Sequence, residues 1–262
     1  MISIDNAQNE IGLSDHIDDG RKWAEWLLKK ADESKESLFS CRPVIFNGEM
    51  VSAILDSRKT QTRRAVKYQP CELPDSPTYP LLKDGKLAWC RKGEDDHGGW
   101  IDCPYGKIGD QLWVRETFCP VFDAQYAEGE TDWVDYRATP RYSAEYPAGW
   151  HLEPEDPAAL KWRPSIHMPR WASRITLEVT DIRVERLQDI KEEDALAEGI
   201  KTGKFGNKSN WRDGFYAPGD NQPCFSAKEA FKCLWQSIYS EESWNNNPWV
   251  WVIEFRRQSS DQ

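Results

Sequence analysis

Residues 54 to 64 read ILDSRKTQTRR, a helix end followed at once by a basic turn. The residues just before the turn, among them Met50 and Ile54, share one face of a short helix because they recur at helical spacing. The turn places Lys59 beside hydroxyl groups, with Thr62 three residues further along. Residues 58 to 67 carry five bases and no acid, so they form the densest positive patch of the sequence.

The composition limits what such a patch can do. The chain has 262 residues, with 34 basic and 44 acidic side chains and a formal net charge of −10. An acidic protein binds a polyanion only through a local basic patch, so a generally cationic nucleic-acid coat is excluded. Fourteen tryptophans are many for this length, and their burial can build a core although only 39% of the residues are hydrophobic.

Outward from the basic turn, four segments show strand patterns, and two segments show helix patterns. The strand patterns cover residues 41–46, 111–118, 174–186 and 249–255. The first helix starts at a capping-box-like pair, Asp189 and Glu192, and stops at Gly199. The second starts at Ser226 and continues as an amphipathic stripe to Tyr239. Mostly strands with helices between them predict an α+β fold or a small barrel.

The rest of the chain lacks sustained periodicity and is predicted as loops or extensions. A loop is predicted from Lys201 to Pro223. The predicted organisation is an N-terminal helical extension (1–40), a main domain (41–257) with insertions at about 68–108 and 123–165, and a tail (258–262).

Neither a membrane segment nor a metal site is predicted. No stretch approaches the roughly 20 apolar residues that span a bilayer, and the first residues lack the apolar core of a signal peptide, so a cytoplasmic location is expected. The seven cysteines are scattered without a C-x-x-C pair, and reduced thiols are expected. Cys71, Cys90, His97 and Cys103 could be imagined as a zinc set, but their spacing matches no familiar zinc finger. We expect no metal and no cofactor.

Common catalytic motifs are absent, which leaves the basic turn as the candidate for chemistry. The sequence contains no phosphate-binding, dinucleotide-binding, serine-esterase or zincin motif. Lysine beside threonine offers a base and a nucleophile. Like-charge repulsion from the neighbouring bases is expected to lower the pKa of Lys59, which favours that role. The alternative from composition alone is a solvated basic turn whose threonine caps the backbone.

The run ILDSRKTQTRR resembles the signature of ASCH domains, small pseudo-barrels related to the PUA domains that bind RNA. Ser57 stands where that signature usually has glycine. Further matches follow in the family's order: GDQLWV at 109–114, EEDALAEGI at 192–200 and VIEF at 252–255. The resemblance implies a PUA-like pseudo-β-barrel with flanking helices, and the long form is similar to proteins encoded by phages and prophages.

The resemblance also implies a reaction. A small bacterial ASCH enzyme removes the acetyl group of N4-acetylcytidine with a lysine, a threonine and a glutamate. Lys59, Thr62 and Glu198 fall on those three positions, and Arg64 falls where the family has an arginine. The implied function is an amidohydrolase acting on a modified cytidine, with a modified nucleoside or RNA as the partner.

Binding residues are expected in two groups. Trp113, Trp171, Arg115 and Arg170 are candidates to stack on an unpaired base, because indole and guanidinium faces both hold bases. The bases of the turn are candidates to contact the substrate or its phosphate. They are Arg58, Arg63 and Arg64.

Two other functions stay open at the level of sequence. The same pocket could bind RNA or a modified base without turnover, in which case affinity would fall as salt rises. A ribonuclease is the third candidate, against which stand the net charge of −10 and the absence of a histidine pair. The sequence leaves the oligomeric state open.

Overall fold

The computed structural model describes residues 40–70, 78–91, 99–121, 133–149, 160–207 and 209–258. The helix predicted within residues 1–40 and nearly all of the predicted tail lie outside these ranges. The chain divides into two units, 1–41 and 42–262, and the following description concerns the second.

The described chain is mixed α+β, with strands predominating. The strands are β1 Cys41–Ile45, β2 Gln61–Ala65, β3 Thr78–Lys83, β4 Lys86–Arg91, β5 Ile101–Asp102, β6 Gln111–Arg115, β7 Phe118–Val121, β8 Trp133–Tyr136, β9 Thr176–Arg186, β10 Lys201–Asn207, β11 Asn210–Tyr216 and β12 Trp249–Arg257. The α-helices are α1 Gly48–Leu55, α2 Glu192–Ala197, α3 Ala227–Tyr239 and α4 Glu241–Asn245. Within the described ranges, no helix is long and apolar enough to cross a membrane.

A five-stranded sheet in the order β1-β6-β9-β12-β2 organises the domain. Its longest pairing joins β9 and β12, the two segments whose alternation is clearest in the sequence, so these predicted strands are confirmed. The main hydrophobic core lies against this sheet, with Trp251 and Phe46 among its largest fully buried side chains.

The two faces of the central sheet carry different residues. Directly paired residues of neighbouring strands point to the same face, and successive residues point to opposite faces. The face with Leu112, Leu177 and Ile253 is here called the inner face, and these residues belong to the core. The opposite, outer face carries Trp113 on β6 and Arg63 on β2.

The two edge strands of the sheet are linked by a side chain. The ladder of backbone hydrogen bonds does not close between β1 and β2. Instead, Nη2 of Arg64 on β2 donates to the carbonyl of Ile45 on β1 at 2.7 Å. The Arg64 guanidinium also lies 5.5 Å from the ring centroid of Phe46, the residue after β1. The sheet edges therefore approach each other without forming a closed barrel.

Three segments predicted as loops contain strands, so those predictions are wrong in part. The 68–108 insertion holds the three-stranded sheet β3-β4-β5, whose first hairpin turns at Asp84 and Gly85, both with positive φ. The 123–165 insertion contributes β8, which pairs with β7. The predicted 201–223 loop is mostly the β10–β11 hairpin.

The N-terminal cap of α2 differs from the prediction. The predicted capping box of Asp189 and Glu192 is wrong, since Lys191 occupies the N-cap of α2 without a side-chain bond. The carboxylate of Glu192 instead accepts hydrogen bonds from the backbone N–H groups of Ala227 at 2.7 Å and Lys228 at 3.4 Å, at the start of α3. The Ser226 cap of α3 is confirmed. Glu192 thus joins two helices that lie far apart in sequence.

We predict that Glu192→Ala lowers the free energy of unfolding by about 1 kcal/mol, because the first N–H groups of α3 lose a carboxylate acceptor. Urea denaturation measures the change. Glu193→Ala is the matched control: this neighbour is equally exposed in the same helical turn. Equal losses in both variants would contradict the capping role of Glu192.

Candidate functional site

The candidate site lies where the turn after α1 packs against the turn after α2. The backbone N–H groups of Arg58 and Lys59 both donate to the carbonyl of Ala53, at 2.8 and 3.0 Å, across a turn in which Ser57 has a φ of 60°. The predicted Gly199 stop is confirmed, with a φ of 99°. A Cβ on Gly199 would lie 3.2 Å from the Cβ of Lys59. The two chain turns are therefore packed directly against each other.

Lys59 is buried between these turns and fully hydrogen-bonded. Its side chain has 0% exposure. Its Nζ donates to Oε2 of Glu198 at 2.7 Å, to the carbonyl of Glu198 at 3.0 Å and to the carbonyl of Gln61 at 2.8 Å. An ammonium group has three protons, so each has an acceptor. An isolated bridge also pairs the backbones of Lys59 and Glu198.

Glu198 is held from two sides. Its Oε2 accepts from Lys59, and its Oε1 accepts from Nη1 of Arg63 at 3.3 Å. The side chain is 3% exposed. Burial of a carboxylate is tolerated only with such partners, because water no longer solvates its charge.

Arg63 connects this pair to a larger group of charges. Its Nη2 lies 3.1 Å from a carboxylate oxygen of Glu185 and 3.3 Å from one of Asp194. Arg183 contacts both of these acids and Glu254. The ionic cluster comprises Lys59, Arg63, Arg183, Asp181, Glu185, Asp194, Glu198 and Glu254.

The ionic cluster includes two of the five bases of the run at 58–67, so the run is less of a positive surface than its sequence suggests. The Arg63 side chain has 0% exposure and three carboxylate partners, so it does not reach a phosphate group in this conformation, contrary to the sequence-based expectation. Lys59 is buried in the same way. Two of the five bases therefore compensate acids inside the domain and do not contribute to a positive surface.

Burial lowers the pKa of Lys59 from its ordinary value of 10.5, because the charged form loses solvation. The charge and hydrogen bond of Glu198 raise this pKa in opposition, while Arg64 and Arg63 lower it further. The predicted direction is confirmed. The main cause is desolvation, however, and not the repulsion between bases on which the prediction relied.

Thr62 lies next to this pair on β2. It is 3% exposed and pairs with Ile253, so strand alternation places it on the inner face. The Lys59 ammonium donates to the carbonyl of Gln61, which belongs to the peptide bond preceding Thr62. All three protons of that ammonium go to other acceptors, so none goes to the Thr62 hydroxyl in this conformation. Lys59 and Glu198 are thus in contact, and Thr62 directly follows the residue whose carbonyl Lys59 binds.

The other bases of the turn have structural partners as well. Arg58 donates to the carbonyl of Gly199 at 3.1 Å and pairs with Asp56 at 3.0 Å. Arg64 bridges to β1 and has a buried Nε without a hydrogen-bond partner. Both side chains stay partly exposed.

The predicted stacking residues form a separate group on the outer face. The guanidinium carbons of Arg115 and Arg170 lie 5.2 and 6.0 Å from the Trp113 ring centroid. Trp171 follows Arg170 and is 68% exposed. Trp113 pairs with Thr176 on β9, on the face of the sheet opposite to Thr62. In the sheet, β9 and β12 also lie between β6 and β2, so the structure does not bring these four residues to the Lys59–Glu198 pair.

Sequence reasoning missed the acids that complete the ionic cluster. Glu185, Arg183 and Asp181 alternate on β9 with Ile182 and Val184, and this spacing places three charged residues on one strand face. A strand face bearing charges of both signs is a signal of cross-strand pairing. Asp194 could not be assigned to the same place, because it comes from α2.

Glu116 is a buried carboxylate whose partner lies outside the ionic cluster. It forms an ion pair with Arg174 through two 2.9 Å contacts. Burial raises the pKa of Glu116, and Arg174 opposes this change.

A cleft of about 600 Å³ lies among other residues and contains none of the predicted site residues. It is lined by Ala65, Gln69, Pro70, Arg186, Ser240, Glu242, Ser243, Asn246 and Pro248. Among the described residues, no group of three or more histidine, cysteine, aspartate or glutamate side chains is arranged to bind a metal. Of the imagined zinc set, Cys71 and His97 lie outside the described ranges.

No family model, curated protein or solved structure matches this chain. The resemblance to ASCH domains therefore rests on the sequence motifs alone.

We predict that Glu198→Ala lowers the free energy of unfolding by about 3–5 kcal/mol, because it leaves the buried Lys59 ammonium without its counter-charge. Adding Lys59→Met should recover much of the loss, since no uncompensated ammonium then remains. Urea denaturation at neutral pH measures both changes.

Asp213→Ala provides the control for this prediction. It removes the acid of an exposed pair with Lys204 at 3.9 Å, and such pairs contribute about 0–1 kcal/mol. A loss for Glu198→Ala no larger than that of Asp213→Ala would refute the account of the buried pair.

Proposed function

We propose that this protein is an ASCH-like amidohydrolase that removes the acyl group from a modified cytidine, such as N4-acetylcytidine, with Lys59, Thr62 and Glu198 as its reactive groups. The observation that carries the proposal is the buried contact of 2.7 Å between the Lys59 ammonium and the Glu198 carboxylate, beside Thr62 on the inner face. The five-stranded sheet, with edges linked by Arg64, would be the pseudo-barrel of that family.

The lowered pKa of Lys59 supports a role as general base. A lysine with an ordinary pKa of 10.5 is almost wholly protonated at neutral pH and cannot accept a proton. Desolvation increases the fraction of neutral amine. A neutral amine has two protons and one lone pair, so deprotonation of Lys59 releases one of its three contacts and provides an acceptor for the Thr62 proton.

The reaction then proceeds by acyl transfer. The Thr62 oxygen attacks the amide carbonyl carbon of the substrate as its proton passes to Lys59. The carbon–nitrogen bond breaks, and the proton moves from Lys59 to the leaving amine. Water then hydrolyses the threonine ester, which releases the carboxylic acid and restores the hydroxyl. Glu198 orients Lys59 and stabilises the ammonium form while it holds the transferred proton.

A second candidate function is binding of a modified base without turnover. It is favoured by the complete hydrogen bonding of the Lys59 ammonium, which leaves no proton of that group without an acceptor. In this case, the Lys59–Glu198 pair has only a structural role.

We predict that the protein releases the acyl group from N4-acylated cytidine and that Lys59→Met slows release by at least about 100-fold, the usual contribution of a general base. Mass spectrometry of products from a panel of acylated nucleosides measures turnover. Lys67→Met is the matched control, because Lys67 is an exposed base of the same run. Lys67→Met should keep full activity.

The outcomes of this assay separate the two candidates. Turnover that survives Lys59→Met in a folded protein would contradict the assigned base. Saturable nucleoside binding without any product would favour the non-catalytic function. Circular dichroism of each variant establishes that the comparison is made between folded proteins.

We predict that the rate rises with pH and levels off above the pKa of Lys59, which lies below 10.5 because of burial. Glu198→Gln removes the charge that raises this pKa, so the rising limb should move to lower pH. A pH profile of the limiting rate for both proteins tests the shift. A limb that stays in place or moves to higher pH would argue against coupling between Lys59 and Glu198.

A further inference from the structure

Two cysteine side chains lie in contact between the β10–β11 hairpin and α3. The Sγ atoms of Cys224 and Cys233 are 3.9 Å apart, although nine positions separate the two residues in sequence. Cys224 lies in the segment between β11 and α3, and Cys233 lies within α3. Cys233 is exposed and Cys224 is half-buried, so small molecules in solution reach the pair from the side of Cys233.

The chain holds both cysteines in place through contacts that do not involve sulfur. The backbones of Cys224 and Phe215 on β11 exchange hydrogen bonds of 2.8 and 3.0 Å. Two residues later, the Ser226 hydroxyl caps α3 by accepting from the N–H of Glu229 at 3.1 Å. The Glu229 carboxylate accepts in turn from the N–H of Phe225 at 3.1 Å. Folding has therefore already supplied the ordering that brings the two sulfurs together.

The separation of the two sulfurs is small enough for a disulfide to form. A disulfide needs the sulfurs about 2.0 Å apart, so they must approach each other by about 2 Å. Rotation about χ1 of a cysteine moves its sulfur by more than this distance, and the exposed Cys233 has room to rotate. Exposed disulfides are also reduced more easily than buried structural ones, so the bond would be reversible.

We propose that Cys224 and Cys233 form a reversible redox site, in which a low-molecular-weight disulfide such as oxidised glutathione converts the two thiols into a disulfide that ties the hairpin to α3. Eight residues separate the two cysteines, so the fold creates the pair and no C-x-x-C motif announces it. The proposal goes beyond the reaction at Lys59 and does not depend on it, because neither cysteine belongs to the ionic cluster.

Cys233 takes the first step of the oxidation. Burial raises the pKa of Cys224 to about 11, and the neighbouring Cys233, Glu229 and Asp220 raise it further by repulsion of the thiolate. Cys224 is therefore almost wholly protonated at neutral pH and is a poor nucleophile. The thiolate of the exposed Cys233 attacks one sulfur of oxidised glutathione. The sulfur–sulfur bond of the oxidant breaks, and the first glutathione leaves as a thiolate that takes up the proton lost by Cys233.

Cys224 takes the second step. The mixed disulfide on Cys233 carries no thiolate, so the repulsion by Cys233 that contributes to the raised pKa of Cys224 disappears. The Cys224 thiolate attacks the Cys233 sulfur, the mixed disulfide breaks, and the second glutathione leaves and takes up the Cys224 proton. Two cysteine thiols are thus oxidised to one disulfide, while oxidised glutathione is reduced to two thiols.

Equilibration of the full-length protein with reduced and oxidised glutathione in different ratios tests the proposal. Remaining thiols are then alkylated, and trypsin cuts after Lys228 and Lys232, so the two cysteines fall on separate peptides. Mass spectrometry detects the bond between these peptides. We expect the equilibrium constant for this disulfide to be at least about 10-fold larger in the folded protein than in urea, because the fold raises the effective concentration of one thiol near the other.

Three variants distinguish the roles of the two cysteines. In Cys224→Ser, Cys233 should accumulate as the mixed disulfide with glutathione, because no second thiol displaces it. In Cys233→Ser, Cys224 should remain largely a thiol, because its raised pKa suppresses attack on the oxidant. Cys41→Ser is the matched control, since Cys41 is another exposed cysteine, and it should form the 224–233 disulfide as the wild type does.

An equilibrium constant no larger in the folded protein than in urea would overturn the proposal, because it would mean that the fold keeps the two sulfurs apart. A wild-type protein that stops at the mixed disulfide on Cys233, or that forms a dimer linked through Cys233, would overturn it as well. None of these measurements involves turnover of an acylated nucleoside, so failure of the proposed reaction would leave their outcome unchanged.

Discussion

The contact between the Lys59 ammonium and the Glu198 carboxylate fixes the part of the structure on which the candidate chemistry depends. A buried ammonium must find acceptors for its three protons, and here these come from the start of β2 and the end of α2. The same requirement explains Gly199, which leaves room for the Lys59 side chain in a backbone conformation that other residues rarely adopt. One ion pair thus joins two turns separated by more than half of the chain.

The bases of the run at 58–67 also reflect the requirement that buried charges be paired. The run at 58–67 has the highest density of positive charge in the sequence, yet Lys59 and Arg63 are matched to acids within the domain. Residues 161 to 171 have a lower density of bases, but Lys161, Arg163 and Arg170 in this segment are exposed. Charge density along the sequence therefore does not identify a binding surface unless burial is known.

Local patterns predicted the parts of the fold that depend on local physics. The alternation of β9 and β12, the stop at Gly199 and the cap at Ser226 follow from neighbouring residues and are confirmed. Long-range partners could not be predicted. Glu192 caps a helix that begins 35 residues later, and the hairpin β3–β4 includes Pro80, which obscures its strand pattern. The proximity of Lys59 and Glu198 came from the ASCH resemblance, since nothing in their spacing places them together.

The pKa of Lys59 tests the central claim most directly. NMR titration of the lysine side-chain signals, with Lys59 assigned through Lys59→Met, gives this value without any assumption about the substrate. A desolvated ammonium held by Glu198 should titrate below 10.5, with chemical shifts that differ from those of the exposed lysines. A pKa at or above 10.5 would contradict the account, because it would mean that attraction by Glu198 outweighs burial and keeps Lys59 protonated.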